Sequence, residues 1–153
     1  MMPMTNNSGE LFSFNIENDE KVKALLKKAG SKAKNLRVPL KRAGILMVGS
    51  IDKNFRAEGR PDKWTVLSDM TLAMRRKHGR GAKILQDTGH GKGSMDYKVT
   101  SNQRVEIGTD VGYMATHQTG KGRIPKRTFL LFQDEDNKNI VKIFSEYLGE
   151  IIK

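Results

Sequence analysis

Two apolar stripes at helical spacing, one on either side of a glycine-rich middle, set the frame for this chain. Leu40, Ala43, Met47, Ile51 and Phe55 recur at intervals of three and four residues, and Ile140, Phe144, Leu148, Ile151 and Ile152 form a second stripe near the far end. Residues at that spacing share one helix face, so each stripe predicts an amphipathic helix with a buried side. A third segment places Val22, Leu25, Leu26, Ala29 and Ala33 on one face, with Lys21, Lys23, Lys27, Lys28, Lys32 and Lys34 largely elsewhere. Pro39 separates it from the next stripe. Proline lacks the N–H that a helix interior uses and is tolerated in the first turn, so the segments are two helices or one kinked helix ending near Asn54. Asp134, Glu135 and Asp136 fall at the start of the last helix, where the helix dipole favours negative charge.

The patterns between the stripes are shorter. Ser68 is a cap for a helix over 69–78, and Arg75, Arg76, Lys77 and His78 in its last turn complement the dipole. Gly79-Arg80-Gly81 ends it. Tyr97-Lys98-Val99-Thr100 and Arg104-Val105-Glu106-Ile107 read as the strands of a hairpin across Ser101-Asn102-Gln103. Tyr113 to Gln118 reads as a helical turn, Thr119 to Arg123 as a loop and Thr128 to Phe132 as a final strand. Trp64 follows the Gly59-Arg60-Pro61 turn as a lid on the core. Phe12, Phe14 and Ile16 alternate with polar residues, a strand pattern leading into the first helix. The expected fold is α+β, a small antiparallel sheet packed against N-terminal and C-terminal helices. Its 153 residues suit a single domain over 1–153, with residues 1–10 as a flexible tail.

Composition narrows the chemistry. There is no cysteine, so disulfides and thiolate metal sites are excluded, and folding in a cytoplasm is the simplest expectation. No apolar run approaches the ~20 residues needed to span a bilayer, and the first nine residues lack the basic and apolar regions of a signal peptide. Neither a membrane nor export is expected. His78, His90 and His117 have no metal-type spacing. Asp87-Thr88-Gly89 matches the aspartic protease triplet, but Gln86 and His90 flank it where that chemistry needs apolar neighbours, and no second triplet is present. It reads instead as a turn in which Asp87 and Thr88 bond local amides. In Gly91-Lys92-Gly93-Ser94 and Gly120-Lys121-Gly122 a glycine stands where a phosphate-binding loop has its Ser or Thr. No catalytic residue, metal or cofactor is expected, and the chain reads as a binding protein, not an enzyme.

The net charge is +11, and it is unevenly placed. From Glu20 to Lys92 there are 19 Lys and Arg against 6 Asp and Glu, whereas Gln133 to Lys153 holds 3 against 5. Such a field favours an acidic partner or a polyanion. Lys27, Lys28, Arg75, Arg76, Lys77 and Arg80 form a candidate basic face. Lys121, Arg123, Lys126 and Arg127 surround Pro125 in a rigid basic segment suited to docking on carboxylates or phosphates.

One ordered series of landmarks runs through the middle. It comprises Asn54-Phe55, Gly59-Arg60-Pro61, Trp64, Leu67-Ser68, Thr71, Ile84-Leu85-Gln86-Asp87-Thr88-Gly89, Ile107-Gly108-Thr109, Tyr113, His117-Gln118, Gly120, Ile124-Pro125, Arg127 and Phe129-Leu130. The series resembles the phage virion morphogenesis family, tail completion proteins of contractile-tailed, Mu-like phages. The chain departs from it at His90-Gly91-Lys92-Gly93, where a leucine usually precedes the serine, at Thr119, where an aromatic follows His-Gln, and at Met114, where a small residue follows the Tyr.

The resemblance implies a structural virion protein for tail completion and head-to-tail joining, residing in the tail or neck after assembly in the host cytoplasm. Its implied partners are the tail tube or tail terminator and the neck or connector proteins, met as a homo-oligomeric ring, with non-specific DNA contact. Trp64, Leu67, Leu85, Tyr113 and Phe129 become framework positions. The stretch holding Tyr113, His117, Gln118, Lys121, Arg123, Pro125, Lys126 and Arg127 becomes the candidate contact surface. The alternative is a small basic nucleic-acid-binding module, with the Lys21 to Lys34 helix and the Arg75 to Lys92 loop on phosphates.

Overall fold

A computed structural model of the protein describes residues 20–153, so the strand pattern at Phe12 to Ile16 and the tail over residues 1–10 lie outside it. The first two apolar segments are separate helices, α1 (Glu20–Ala29) and α2 (Arg37–Ala57), linked by a 3-10 turn (Gly30–Lys34). Pro39 is the third residue of α2, where its missing N–H has no intrahelical partner to lose. The helix runs one turn past Pro39 and on to Ala57, with Leu40, Ala43, Met47, Ile51 and Phe55 all buried.

A left-handed exit ends α2. Glu58 has φ 54°, and the N–H of Gly59 returns to the Asn54 carbonyl at 2.9 Å. Gly59 itself has φ 112°, and a Cβ there would lie 2.3 Å from the Asp62 carbonyl oxygen, so the turn admits only glycine.

At ~1.5 Å per residue α2 is long enough to serve two cores. Ile51 and Phe55 pack with Trp64, Ile84, Met95, Met114, Phe129 and Leu130 in the first. Leu40, Ala43 and Met47 pack with Val22, Ala29 and Ala33 of the α1 region and with Ile140, Phe144 and Leu148 in the second. Those last three come from the final helix, which in chain order is α6 (Asp134–Ile152). In the first core the Phe55 ring stacks on Phe129 at 5.3 Å and meets Trp64 edge-on at 5.6 Å.

The sheet is the expected hairpin, β1 (Asp96–Ser101) antiparallel to β2 (Arg104–Gly108), with Val99 opposite Val105 and a register irregularity before Ser101. It lies across α2 where Gly44 faces the Tyr97 ring; a Cβ at Gly44 would lie 2.4 Å from a ring carbon. Together the helices and this two-stranded sheet make a small α+β fold.

One expected element is absent from the described residues. Thr128 to Phe132 is not a strand but an irregular segment with no ladder partner, in which Phe129 and Leu130 are buried. Side chains replace the ladder. Gln118 Oε1 accepts from the N–H groups of Phe129 and Leu130, each at 3.0 Å, and its Nε2 donates to the Leu130 carbonyl at 2.9 Å. Asn54 Nδ2 donates to the Phe129 carbonyl at 2.7 Å, and Trp64 Nε1 to that of Thr128 at 3.0 Å. Buried main-chain groups need partners, and these satisfy them without a second strand.

A second polar cluster joins the ends of α2 and α6. Arg60 Nε donates to Asn54 Oδ1 at 2.8 Å, its Nη2 to the carbonyl and hydroxyl oxygens of Ser50, and its Nη1 to Glu135 at 3.1 Å. Ser50 Oγ donates to Asp136 Oδ2 at 2.7 Å, and that oxygen also accepts the N–H of Gln133, closing the capping box at the start of α6. Asp134, Glu135 and Asp136 therefore serve the helix start as the sequence predicts, with Asp136 doubling as a core tie.

Candidate functional site

Three short helices edge a groove beside the first core. They are α3 (Asp69–Lys77), α4 (His90–Gly93) and α5 (Tyr113–Thr119). Ser68 caps α3 as predicted, accepting the N–H of Thr71 at 3.3 Å. The α4 turn sits against α5 because Gly91 has no side chain: a Cβ there would come 2.5 Å from Met114 Sδ and 3.2 Å from the Tyr113 hydroxyl. Gly91 thus makes room for the Met114 side chain. The loop from Lys121 to Arg127 forms the remaining wall, pinned by a bond from the Arg127 N–H to the His117 carbonyl at 2.7 Å.

The groove encloses about 500 Å³. Val66, Leu67, Leu85, Tyr113, Met114, Ile124 and Pro125 give it apolar walls, and Arg75, His90, His117, Arg123 and Arg127 give it cationic or basic groups. Asp87 is the only acid among them.

Arg75 and Arg127 are anchored rather than mobile. Arg75 Nη1 donates to the carbonyls of Gly81 and Lys83, at 3.2 and 2.7 Å, and its Nε faces Asp87 Oδ1 at 3.5 Å. Asp87 also pairs with Arg80 at 2.9 Å. Asp87 is therefore held by two arginine side chains and not by local amides as the sequence suggested, while Thr88 does accept the His90 N–H at 3.3 Å. Carboxylate neighbours of this kind are cations, the opposite of the apolar flanks that a shared-proton protease site requires. Arg127 is buried, donating Nε and Nη2 to the Thr65 carbonyl at 3.2 and 3.1 Å.

Burial, and secondarily the Arg127 charge, pushes the His117 imidazole below the usual histidine range. Its Nδ1 is buried without a hydrogen-bond partner among the described residues, and its ring meets Tyr113 edge-on at 6.3 Å. Its neighbour Gln118, by contrast, bonds the main chain at Phe129 and Leu130. Burial and the nearby Arg75 also push the Arg127 guanidinium down from its ordinary value.

The contact surface expected from the sequence divides into two groups. Tyr113, Lys121, Arg123 and Lys126 are exposed, with Pro125 and His117 half-buried on the groove wall. Gln118 and Arg127 are buried, with Gln118 holding the segment at Phe129 and Arg127 holding the Thr65 loop. Tyr113 is 51% exposed, so it is a rim residue and not the packed framework residue that the resemblance implied. Trp64 and Phe129 are buried, and Leu67 and Leu85 pack half-buried on the first core.

The candidate basic face is not continuous. Lys27 and Lys28 stand exposed on α1, which packs on α6 in the second core. Arg75 to Arg80 stand beside the groove, with Arg76 and Lys77 exposed but Arg75 and Arg80 engaged as described. No three metal-ligating groups converge among the described residues. No helix of the described residues is long and apolar enough to cross a membrane.

Sequence reasoning missed the exposed apolar side chains on Val66 and α3. Val66 is 78% exposed, Met70 76% and Met74 59%, and α3 buries none of its residues. The signal was available: Met70 and Met74 stand four apart, an apolar pair on one helix face that no core position in α3 explains.

The match to known proteins covers most of the chain. A model of the phage virion morphogenesis family matches residues 17–149, the range that contains every groove residue. No curated protein and no solved structure matches it.

Proposed function

Because this chain belongs to the phage virion morphogenesis family, we propose that it completes the tail and joins it to the head by docking a virion protein, another copy of itself included, in the groove between α3, α4 and α5. The observation that carries this reading is the concurrence of fixed cations and exposed apolar side chains in one concavity. Arg75 and Arg127 are locked by main-chain carbonyls, so a partner carboxylate meets donors that need no reordering. Val66, Tyr113 and Ile124 around them supply apolar area for affinity, while Arg123, Lys121 and Lys126 steer approach. The expected partners are the tail tube or tail terminator and the neck proteins, with the chain acting in a ring at the upper tail end.

The nucleic-acid reading draws less support from the geometry. A phosphate-tracking face needs outward cations on neighbouring elements, whereas Lys27 and Lys28 lie on α1 and Arg76 and Lys77 on α3, two helices with no principal contact.

Deleting the gene in the phage that carries it and viewing the lysate by negative-stain electron microscopy tests the reading. Filled heads lying beside separate tails are expected. Fully joined, infectious particles in the absence of the protein would refute it.

A further inference from the structure

The first 20 residues hold no Lys or Arg, in a chain that has 28. They carry Glu10, Glu17, Asp19 and Glu20, and the stretch Glu10-Leu11-Phe12-Ser13-Phe14-Asn15-Ile16-Glu17 combines apolar side chains at every second position with an acid at each end. The groove is its complement: apolar walls from Leu67, Leu85 and Ile124, and the cations Arg75, Arg123 and Arg127 facing a single internal acid. Resting on the docking role assigned to this groove above, we propose that it receives the Glu10–Glu17 segment of a second copy of the chain.

Three physical considerations lead there. When extended, the segment places Phe12, Phe14 and Ile16 on one face at about 6.6 Å intervals, so one apolar edge enters while the acidic ends meet the cations. Arg75 and Arg127 both line the groove and the Arg75 charge bears on the Arg127 guanidinium, while Asp87 already balances Arg75 and Arg80. An added carboxylate relieves that repulsion.

The third consideration selects a second copy over the chain's own segment. Four residue steps lead from Ile16 to Glu20, the first residue of α1, a reach of at most about 14 Å, and α1 packs chiefly on α6 in the second core. The groove borders the first core. A second copy also brings a body that covers the apolar face of α3, where Met70 and Met74 are exposed; the chain's own segment lying in the groove would leave that face open.

The absence of cysteine makes the test clean. Two full-length single-cysteine proteins, Ser13→Cys and Val66→Cys, are mixed under mild oxidation and the products separated by non-reducing electrophoresis. Val66 is an exposed wall residue, so its substitution spares the core; matching thermal melts check this. The proposal predicts a covalent heterodimer well above the background given by Ser13→Cys with Lys138→Cys, and a severalfold loss when Arg123→Glu is added to the Val66→Cys chain.

In a protein that carries both Ser13→Cys and Val66→Cys, linkage only within one chain would overturn the choice of a second copy. No linkage above background in either format would overturn the occupant altogether. If substitutions at Ile124 still block head-to-tail joining in that last case, the docking role stands and another virion protein fills the groove.

Discussion

Gln118 makes three main-chain hydrogen bonds from a side chain that is 3% exposed, and it is the residue on which the Phe129 segment depends. Replacing it with alanine leaves two buried donors and one acceptor unpartnered, each costing on the order of 1 kcal/mol or more. Gln118→Ala is expected to lose about 3 kcal/mol in urea unfolding, and a loss below about 1 kcal/mol would show that water or rearrangement satisfies the segment. Its neighbour His117 makes a different prediction. Its folded pKa is depressed, so the unfolded chain takes up a proton first as pH falls. Stability from this group is present above the ordinary histidine value of about 6.5 and is lost as pH falls below it toward the lowered folded value. Urea midpoints should therefore decline on acidification below about 6.5 in the parent and decline less in His117→Gln. Equal slopes would contradict the assignment. Sequence spacing could not separate these two residues, because adjacent positions in a short helix point to different environments that only packing decides.

At the scale of elements, helix and hairpin were legible and the segment at Thr128 to Phe132 was not. The stripes along α2 and α6 have the 3.6-residue period of a buried helix face, and every residue of the α2 stripe is buried. A run of four apolar residues after Thr128 carries no such periodicity, so a ladder and a set of side-chain partners look alike in sequence. α3 is the element whose role packing alone does not explain. It has a cap but no buried residue, and its stability rests on Ser68, Arg75 and whatever covers its methionines. Ser68→Ala is expected to cost about 1 kcal/mol by thermal or urea unfolding. Met70→Lys with Met74→Lys is expected to leave the monomer's melting temperature essentially unchanged while abolishing complementation of a gene deletion. A large drop in melting temperature would place those methionines in the core, and full complementation would remove α3 from the interface.

For the whole molecule, α2 carries two cores, and the groove belongs to the first. The second core, with α1 and α6, secures the far half of α2 and the hairpin. The ordered landmarks from Asn54 to Leu130 pointed to the family because they are largely the residues of the first core and its groove: Phe55, Trp64, Ile84, Phe129 and Leu130 inside, Leu67, Tyr113 and Ile124 at the wall. The cationic and apolar character of the groove was only half visible. Charges were readable from the sequence, but the pairing of Asp87 with Arg75 and Arg80, seven or more residues away, depends on how the Gly79 to Gly81 turn folds back.

A protein that joins by surface complementarity binds DNA weakly and without sequence preference. In a filter or anisotropy assay, affinity should fall steeply with salt and be negligible at physiological ionic strength. Tight binding under those conditions would favour the nucleic-acid module.

The most direct measurement of the central claim adds purified protein back to a lysate of the deletion phage and counts joined particles and plaques. The parent protein is expected to restore both, whereas folded Ile124→Asp and Arg123→Glu proteins, altered only on exposed groove walls, should fail or restore a small fraction. Equal restoration by the parent and both variants would show that the groove is not where this protein meets the virion.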